Sequence, residues 1–410
     1  MIKISPRRIV KRKKRAMALM VHYSLMACFA LYRLLSLRPT SAREELDTSR
    51  IKKILLVRID GLGDVVMSTP VFGPIRGLFP DAHITLLTGS WSKGLVEVIP
   101  DLDEIIYFDA PWMVKGRDEK RQSLLSVAKR LRGEGFDLAI DFRGDFRNNI
   151  LMYLSNATYR LGFNITGCGF LLTHVVPCSD DHHSTKMCIS MIKYLNPGDD
   201  KEHRLSLWTT EEDREYAANL LKKAGVCPSE DASPVVIIHP GAKWYGRCWM
   251  PERYAEIADR LVEKYGARVL LSGAPADAEL TGSIAKMMKH KAILTAGRTS
   301  LRQFLALLDK SFLLSGVDSG PMHMAVAMRT RMVALFGPTS SEAWGPSGDE
   351  HTVVTRQNDF TCSPCAQTRC SVPEDNCMMA ITTEDVWGAV RRQMEIMSHG
   401  ERNRQSTGNL

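Results

Sequence analysis

From Ile51 onward the chain alternates short aliphatic or β-branched runs with amphipathic stretches, and it does so twice. In the first half, Ile54–Ile59, Ile84–Leu87, Glu104–Phe108 and Phe136–Asp141 predict strands. Pro70–Leu78, Glu119–Arg132 and Phe146–Leu154 predict the helices between them. The rhythm stops over Thr166–Leu207, which is polar, rich in histidine (His174, His182, His183, His203) and carries Pro177 and Pro197. Glu211–Ala224 predicts a helix and Gly225–Pro234 a loop, and then the alternation resumes. Val235–His239, Arg268–Ser272, Ala292–Leu294, Phe312–Ser315 and Met332–Phe336 read as strands. Pro251–Tyr265, Asp277–Lys289, Leu301–Leu308, Met322–Met328 and Thr383–Ile396 read as helices. Strands separated by helices imply parallel sheets covered on both faces. The expected class is α/β, with two doubly wound, Rossmann-like domains facing a cleft. The expected boundaries are a leader at 1–50, a first domain at 51–225, a second at 226–398, and a disordered polar tail at 399–410.

Charge is partitioned along the chain. The net charge is +8, from 54 Lys and Arg against 46 Asp and Glu, yet residues 1–43 hold 11 basic residues and no acidic one. The remainder therefore has 43 basic against 46 acidic residues and is mildly acidic. A nucleic-acid-binding body needs a basic face, so nucleic acid is not an expected partner. A composition 44% hydrophobic and 24% charged also excludes a disordered, collagenous or many-span membrane protein. After Lys11–Arg15 comes the uncharged stretch Ala16–Tyr32. As a helix it would reach about 25 Å, short of a hydrocarbon core about 30 Å thick. Residues 1–43 read first as a helix lying on an anionic membrane surface. A solvated tail with a packed helix, and a single span, are the other readings. Six scattered cysteines (Cys28, Cys168, Cys178, Cys188, Cys227, Cys248) form no disulfide framework, which fits a reducing cytoplasm. Cys362, Cys365, Cys370 and Cys377 cluster as Cys-x2-Cys-x4-Cys-x6-Cys. They read as a structural zinc site, less readily as an iron–sulfur site, or as free or redox-paired thiols.

Ligands of open α/β sheets sit beyond the carboxyl ends of strands, so the loops there carry the chemistry. Asp60-Gly61-Leu62-Gly63-Asp64 follows the first strand, and Val66 stands where a dinucleotide fingerprint has its third glycine. Asp64 at a strand-to-helix turn would repel a pyrophosphate. It suits either a helix cap or a base taking a proton from a hydroxyl. His239-Pro240-Gly241-Ala242-Lys243-Trp244-Tyr245-Gly246-Arg247 offers a tight turn and two cations for phosphate oxygens. The other reading makes those cations ordinary surface residues. Asp318-Ser319-Gly320-Pro321-Met322-His323 opens a helix. Asp318 is expected as its N-cap, the Ser319 and Gly320 amides as an anion site, and His323 within reach. The plainer reading is a capped helix with a core histidine. Gly337-Pro338-Thr339 shapes a further loop, which completes a pocket or caps the next helix.

Taken in order, Gly61-Leu62-Gly63-Asp64-Val65 with Thr69-Pro70, Phe136–Gly144, His239-Pro240-Gly241-Ala242, Asp318–His323 and Ala334–Thr339 resemble glycosyltransferase family nine. That family includes the ADP-heptose:lipopolysaccharide heptosyltransferases. The resemblance runs from Ile51 to Trp387. It implies a GT-B fold with acceptor on the first domain and nucleotide sugar on the second. It also implies an inverting, metal-independent transfer that needs no cofactor, with an ADP-sugar as donor and a lipid-anchored glycan as acceptor. Carried onto these positions, Asp64 is the general base, with Asp60, Gly63 and Arg143 on the acceptor side. Gly241, Ala242, Lys243, Arg247, Asp318, Ser319, Gly320, His323 and Thr339 face the donor. Asp60 stands where heptosyltransferases often have serine, and Arg247 replaces a lysine. The family's ribose-binding acid has no clear counterpart, with Asp277 or Glu279 the candidates. The implied place of work is the cytoplasmic, inner face of the inner membrane. A non-catalytic nucleotide-sugar-binding protein and a Rossmann oxidoreductase are the rival readings. Deleting residues 1–43 is expected to lower co-sedimentation with anionic-lipid vesicles; unchanged sedimentation removes the leader's membrane role.

Overall fold

A computed structural model describes residues 20, 23, 24, 26, 46–114, 122–178, 183–226, 233–365, 370 and 376–407. The leader expectations thus lie almost wholly outside the described residues; Met20, Tyr23, Ser24 and Met26 are helical and exposed. Among the described residues no helix is long and apolar enough to cross a membrane. The chain divides into two compact units, Met1–Arg204 and Leu205–Leu410.

The first unit runs β1 (Lys53–Arg58), α1 (Leu62–Met67), α2 (Phe72–Leu78), β2 (His83–Thr88), β3 (Glu104–Tyr107), α3 (Leu124–Glu134), β4 (Leu138–Asp141), α4 (Phe146–Leu154), β5 (Tyr159–Gly162), β6 (His174–Val175) and α5 (Ser184–Leu195). Its sheet has the order β3-β2-β1-β4-β5-β6, with every neighbouring pair parallel. Ile54, Leu55, Leu56 and Val57 are all fully buried. Consecutive buried residues mean that both faces of the sheet are covered, which is why β1 reads as a continuous apolar run. Val57 pairs with Asp141, so the carboxyl ends of β1 and β4 come level.

The second unit runs α6 (Glu211–Lys223), β7 (Val235–His239), α7 (Pro251–Tyr265), β8 (Arg268–Leu271), α8 (Ala278–Met287), β9 (Ile293–Leu294), α9 (Leu301–Asp309), β10 (Leu313–Val317), α10 (Gly320–Ala327), β11 (Arg331–Phe336), α11 (Ser341–Trp344), β12 (Thr352–Thr355) and α12 (Thr383–Thr407). The order is β12-β11-β10-β7-β8-β9, again parallel throughout. Val236 and Ile238 pack with Tyr254, Ile257 and Leu261 of α7 and with Val386, Val390 and Met394 of α12. Pro251 starts α7, where its missing N–H is not needed, and Gly266 ends it at φ +61°.

Several boundaries differ from the sequence expectation. The units divide before α6 rather than at 225/226. α6 packs on α9, and Asp213 both closes a capping box with Thr210 and pairs with Arg302 at 3.0 Å. The stretch 166–207 contains α5, whose apolar set Met187, Cys188, Met191 and Ile192 is buried; the polar, histidine-rich approach to it hid that period. Short strands β5, β6 and β12 also lack a strong alternation. The helix α12 continues to Thr407, through most of the tail expected to be disordered. Glu401, Arg402, Arg404 and Gln405 are good helix formers, and Gly400 alone does not stop it.

At the centre of the second sheet, a Cβ added to Gly316 would sit 2.7 Å from the carbonyl oxygen of His239. Gly316→Ala is therefore expected to cost about 1–3 kcal/mol in urea unfolding. Gly282→Ala, inside α8 with nothing near the new methyl, should stabilise by about 0.5–1 kcal/mol; equal effects would refute the packing argument. Burial holds His239 down at about 4, against a pull upward from Asp277, while its ordinary value is 6.5. Between these values the unfolded chain binds a proton that the folded one refuses, so stability falls as pH drops through this window. The His239 contribution is about 3 kcal/mol at most. Urea midpoints at pH 7 and pH 4 should differ less for His239→Asn than for the parent; identical differences would count against it.

Candidate functional site

On the first unit, only Ile59, Asp60 and Gly61 separate the end of β1 from the start of α1. Gly61 is its N-cap and makes no side-chain cap bond; Asp64 is the third helical residue, not the cap. A carboxylate in the first turn is favoured by the helix dipole. A Cβ on Gly61 would come within 3.1 Å of Asp64 Oδ2, so glycine keeps that carboxylate clear. Around it lies a chain of charges. Arg58, at the end of β1, is 2% exposed. Its Nε donates to the Asp64 carbonyl at 2.9 Å and its Nη1 to the Phe142 carbonyl at 3.0 Å. Nη1 also lies 3.4 Å from Asp60 Oδ2, and Nη2 3.8 Å from Asp64 Oδ1. Arg143 pairs with Asp60 and lies 3.6 Å from Asp145. Asp60 is thus buried between two guanidiniums, and the indole of Trp91 donates to its carbonyl at 2.7 Å.

Asp145 caps α4 and holds Arg147 through two short bonds, 2.7 and 2.6 Å. Burial works to raise the Asp145 carboxyl, but the Arg147 bonds and the Arg143 and Arg147 charges outweigh it and hold it low. Arg147 stacks on Trp112 at 4.5 Å. Fully buried Asp141 behaves oppositely. Burial pushes it up to about 6, although Asn148 and the Gly144 amide donate to it at 2.8 and 2.6 Å. Asp60, Asp64, Gly63 and Arg143 all come together at this one sheet edge. Arg58, Asp145, Arg147 and Trp91 join them and were not anticipated. One signal was available: Arg58 interrupts an apolar strand at its last residue.

On the second unit, the loops after β7, β10 and β11 meet. Asp318 is not the N-cap of α10; Ser319 is, without a side-chain cap bond. The Asp318 carboxylate is otherwise engaged, accepting from Thr339 Oγ1 at 2.6 Å and pairing with Arg247 at 3.1 Å. Burial raises the Asp318 carboxyl, against the Arg247 charge and the Thr339 bond. Arg247 also donates to the Asp318 carbonyl at 3.2 Å and stacks on Trp244 at 4.3 Å. Lys243 is exposed, Ala242 half-buried and His323 buried on the first turn of α10. The opening amides of a helix have no intrahelical partner, which leaves Ser319 and Gly320 suited to an anion. Asp277 presses on Gly241: a Cβ there would meet its carboxylate at 2.5 Å. Glu279 is exposed. Gln357, also not anticipated, donates to the carbonyls of Gly337 and Thr339 and fixes that loop.

The four clustered cysteines differ in exposure. Cys377 is buried, Cys365 half-buried, and Cys362 and Cys370 exposed. Burial pushes the Cys377 thiol up, and the three other cysteines add to the shift. Among the described residues no group of three or more His, Cys, Asp or Glu is placed to hold a metal ion. The expectation of a structural zinc or iron–sulfur site is thus not supported; 366–369 and 371–375, between these cysteines, lie outside the described residues.

The model of one family, described as Glycosyltransferase family 9 (heptosyltransferase), matches residues 124–375. Lipopolysaccharide heptosyltransferase 3 of Escherichia coli (strain K12) is 28% identical over 302 residues, covering 69% of this chain and 82% of that one. Among solved structures, a glycosyl transferase family 9 protein of Veillonella parvula DSM 2008 aligns with a TM-score of 0.70 at 24% identity, covering 83% of this chain and 97% of that one. The E. coli ADP-heptose lps heptosyltransferase II aligns with a TM-score of 0.65 at 20% identity, covering 84% and 99%. These structural likenesses bear on the fold, and the two parallel six-stranded sheets match its GT-B-like α/β pattern. With the family model matching more than half of its length, the chain belongs to glycosyltransferase family 9.

Proposed function

We propose that this glycosyltransferase moves a heptose from ADP-heptose onto the core of lipopolysaccharide or a related glycolipid, with inversion. Asp64 accepts the proton of the acceptor hydroxyl as that oxygen attacks the anomeric carbon, and the bond to the nucleoside diphosphate breaks. One observation carries the assignment of the base. The Asp64 side chain is 27% exposed, whereas those of Asp60 and Asp145 are 6% and 7% exposed. A base must be reached by the hydroxyl it serves, so Asp64 is preferred to Asp60. Arg143 and Gly63 line the acceptor side.

The diphosphate is received by the Ser319 and Gly320 amides, with Lys243 and Arg247 supplying charge as it leaves. Arg247, Asp318 and Thr339 form one bonded set that fixes the donor loops, and His323 supports the first turn of α10. Gly241 and Ala242 let the donor approach the backbone, and Asp277 beside them is suited to accept from a ribose hydroxyl. On this reading the acceptor is lipid-anchored and the transfer takes place at the inner face of the inner membrane, with residues 1–43 lying on its anionic surface.

The test is a donor screen on the purified chain with ADP-, UDP- and GDP-sugars and lipopolysaccharide-core acceptors, scoring nucleoside diphosphate release. Turnover should require an ADP-heptose. Asp64→Asn should lower kcat by about 10²–10⁴-fold with an unchanged melting temperature. Parental turnover in Asp64→Asn would remove the base assignment, and turnover with a UDP- or GDP-sugar alone would remove the donor.

A further inference from the structure

We propose that Arg58 is a positioning residue for the transfer, one that sets where the Asp64 carboxylate stands. The inference rests on the reading of Asp64 as the base. Arg58 ends a strand in which Ile54, Leu55, Leu56 and Val57 are fully buried, and it is itself 2% exposed. A charge so placed is tolerated only where it is compensated. Its compensation comes from the loops that follow β1 and β4. Nε donates to the backbone carbonyl of Asp64 at 2.9 Å, the residue whose side chain takes the proton. Nη1 donates to the carbonyl of Phe142, just past β4, at 3.0 Å. The same nitrogen lies 3.4 Å from Asp60, and Nη2 stands 3.8 Å from Asp64 Oδ1 with no hydrogen-bond partner among the described residues.

The rigid guanidinium thereby ties three things together: the end of β1, the first turn of α1 and the exit of β4. The segment between Arg58 and Asp64 contains Gly61 and Gly63, which confer little stiffness. The fork supplies what the loop lacks. Both of the guanidinium's hydrogen bonds go to backbone carbonyls rather than to the carboxylate that takes the proton, so the contribution of Arg58 is place. Lysine offers one compact ammonium and cannot span both carbonyls in this geometry.

The experiment compares the full-length parent with Arg58→Ala, Arg58→Lys and Asp64→Asn, in steady-state assays with the preferred donor and acceptor and in thermal melts. Arg58→Ala is expected to lose about 10–100-fold in kcat, since small misplacements of reacting groups cost that much. The donor KM should stay within about twofold, because uniform binding is untouched. Arg58→Lys should recover part of kcat. If Arg58→Ala does not fold, Arg58→Lys decides: reduced kcat at a parental melting temperature supports the proposal, and parental kcat overturns it. A folded Arg58→Ala with parental kcat, or with its loss confined to donor KM, also overturns it. Inactive Asp64→Asn alongside fully active Arg58 variants defeats the positioning role alone. Active Asp64→Asn defeats the base assignment and this proposal with it.

Discussion

Every strand in both units runs parallel to its neighbours. A parallel pair cannot be closed by a tight turn, so the chain must leave each strand at one edge of the sheet and return to the other. All the carboxyl ends are thereby gathered along a single edge. Helices over both faces leave that edge as the place where loops can vary without exposing the core. The residues of interest follow from this arrangement: Arg58, Asp64 and Arg143 leave β1 and β4, while Arg247, Asp318 and Thr339 leave β7, β10 and β11.

The two loop clusters handle charge differently. On the first unit, Arg58, Arg143 and Arg147 are interleaved with Asp60, Asp64, Asp141 and Asp145. Burying such groups is tolerable because each has an opposite charge or a hydrogen bond. The result is a graded set of carboxylates: Asp145 held low, Asp141 raised to about 6, and Asp64 the most open. On the second unit, Asp318 pairs with Arg247 at 3.1 Å, beside a helix start whose opening amides have no intrahelical partner. A phosphate there would meet amides and partly compensated cations, unlike a P-loop with its lysine. Membership of a transferase family sets aside the oxidoreductase and non-catalytic readings of the same loops.

Much of this was legible in the residues. Phe146–Leu154, Val235–His239 and Pro251–Tyr265 fall where the sequence places them, because a clean period or a proline marks each. The four strand-end loops were legible as well, since glycine and proline punctuate them. What stayed hidden depended on partners distant in the chain. Asp318 looks like an N-cap by its neighbours, yet its oxygens are engaged by Thr339, 21 positions later, and by Arg247, 71 positions earlier. Asp60 looks as available as Asp64 until Arg143 is brought beside it across the sheet. The α5 helix escaped because periodicity is read locally and its polar approach is not periodic.

The last helix has a consequence for how the protein is made. Val386, Ala389, Val390 and Met394 of α12 are fully buried against the second sheet. Those residues emerge from the ribosome long after β7, β8 and β10 have been synthesised. Until then the sheet face they cover is apolar and open to water, whereas every strand of the first unit precedes residue 176. The second unit therefore passes through a nascent form with an uncovered core, the kind of surface that chaperones bind and that aggregates when synthesis stalls.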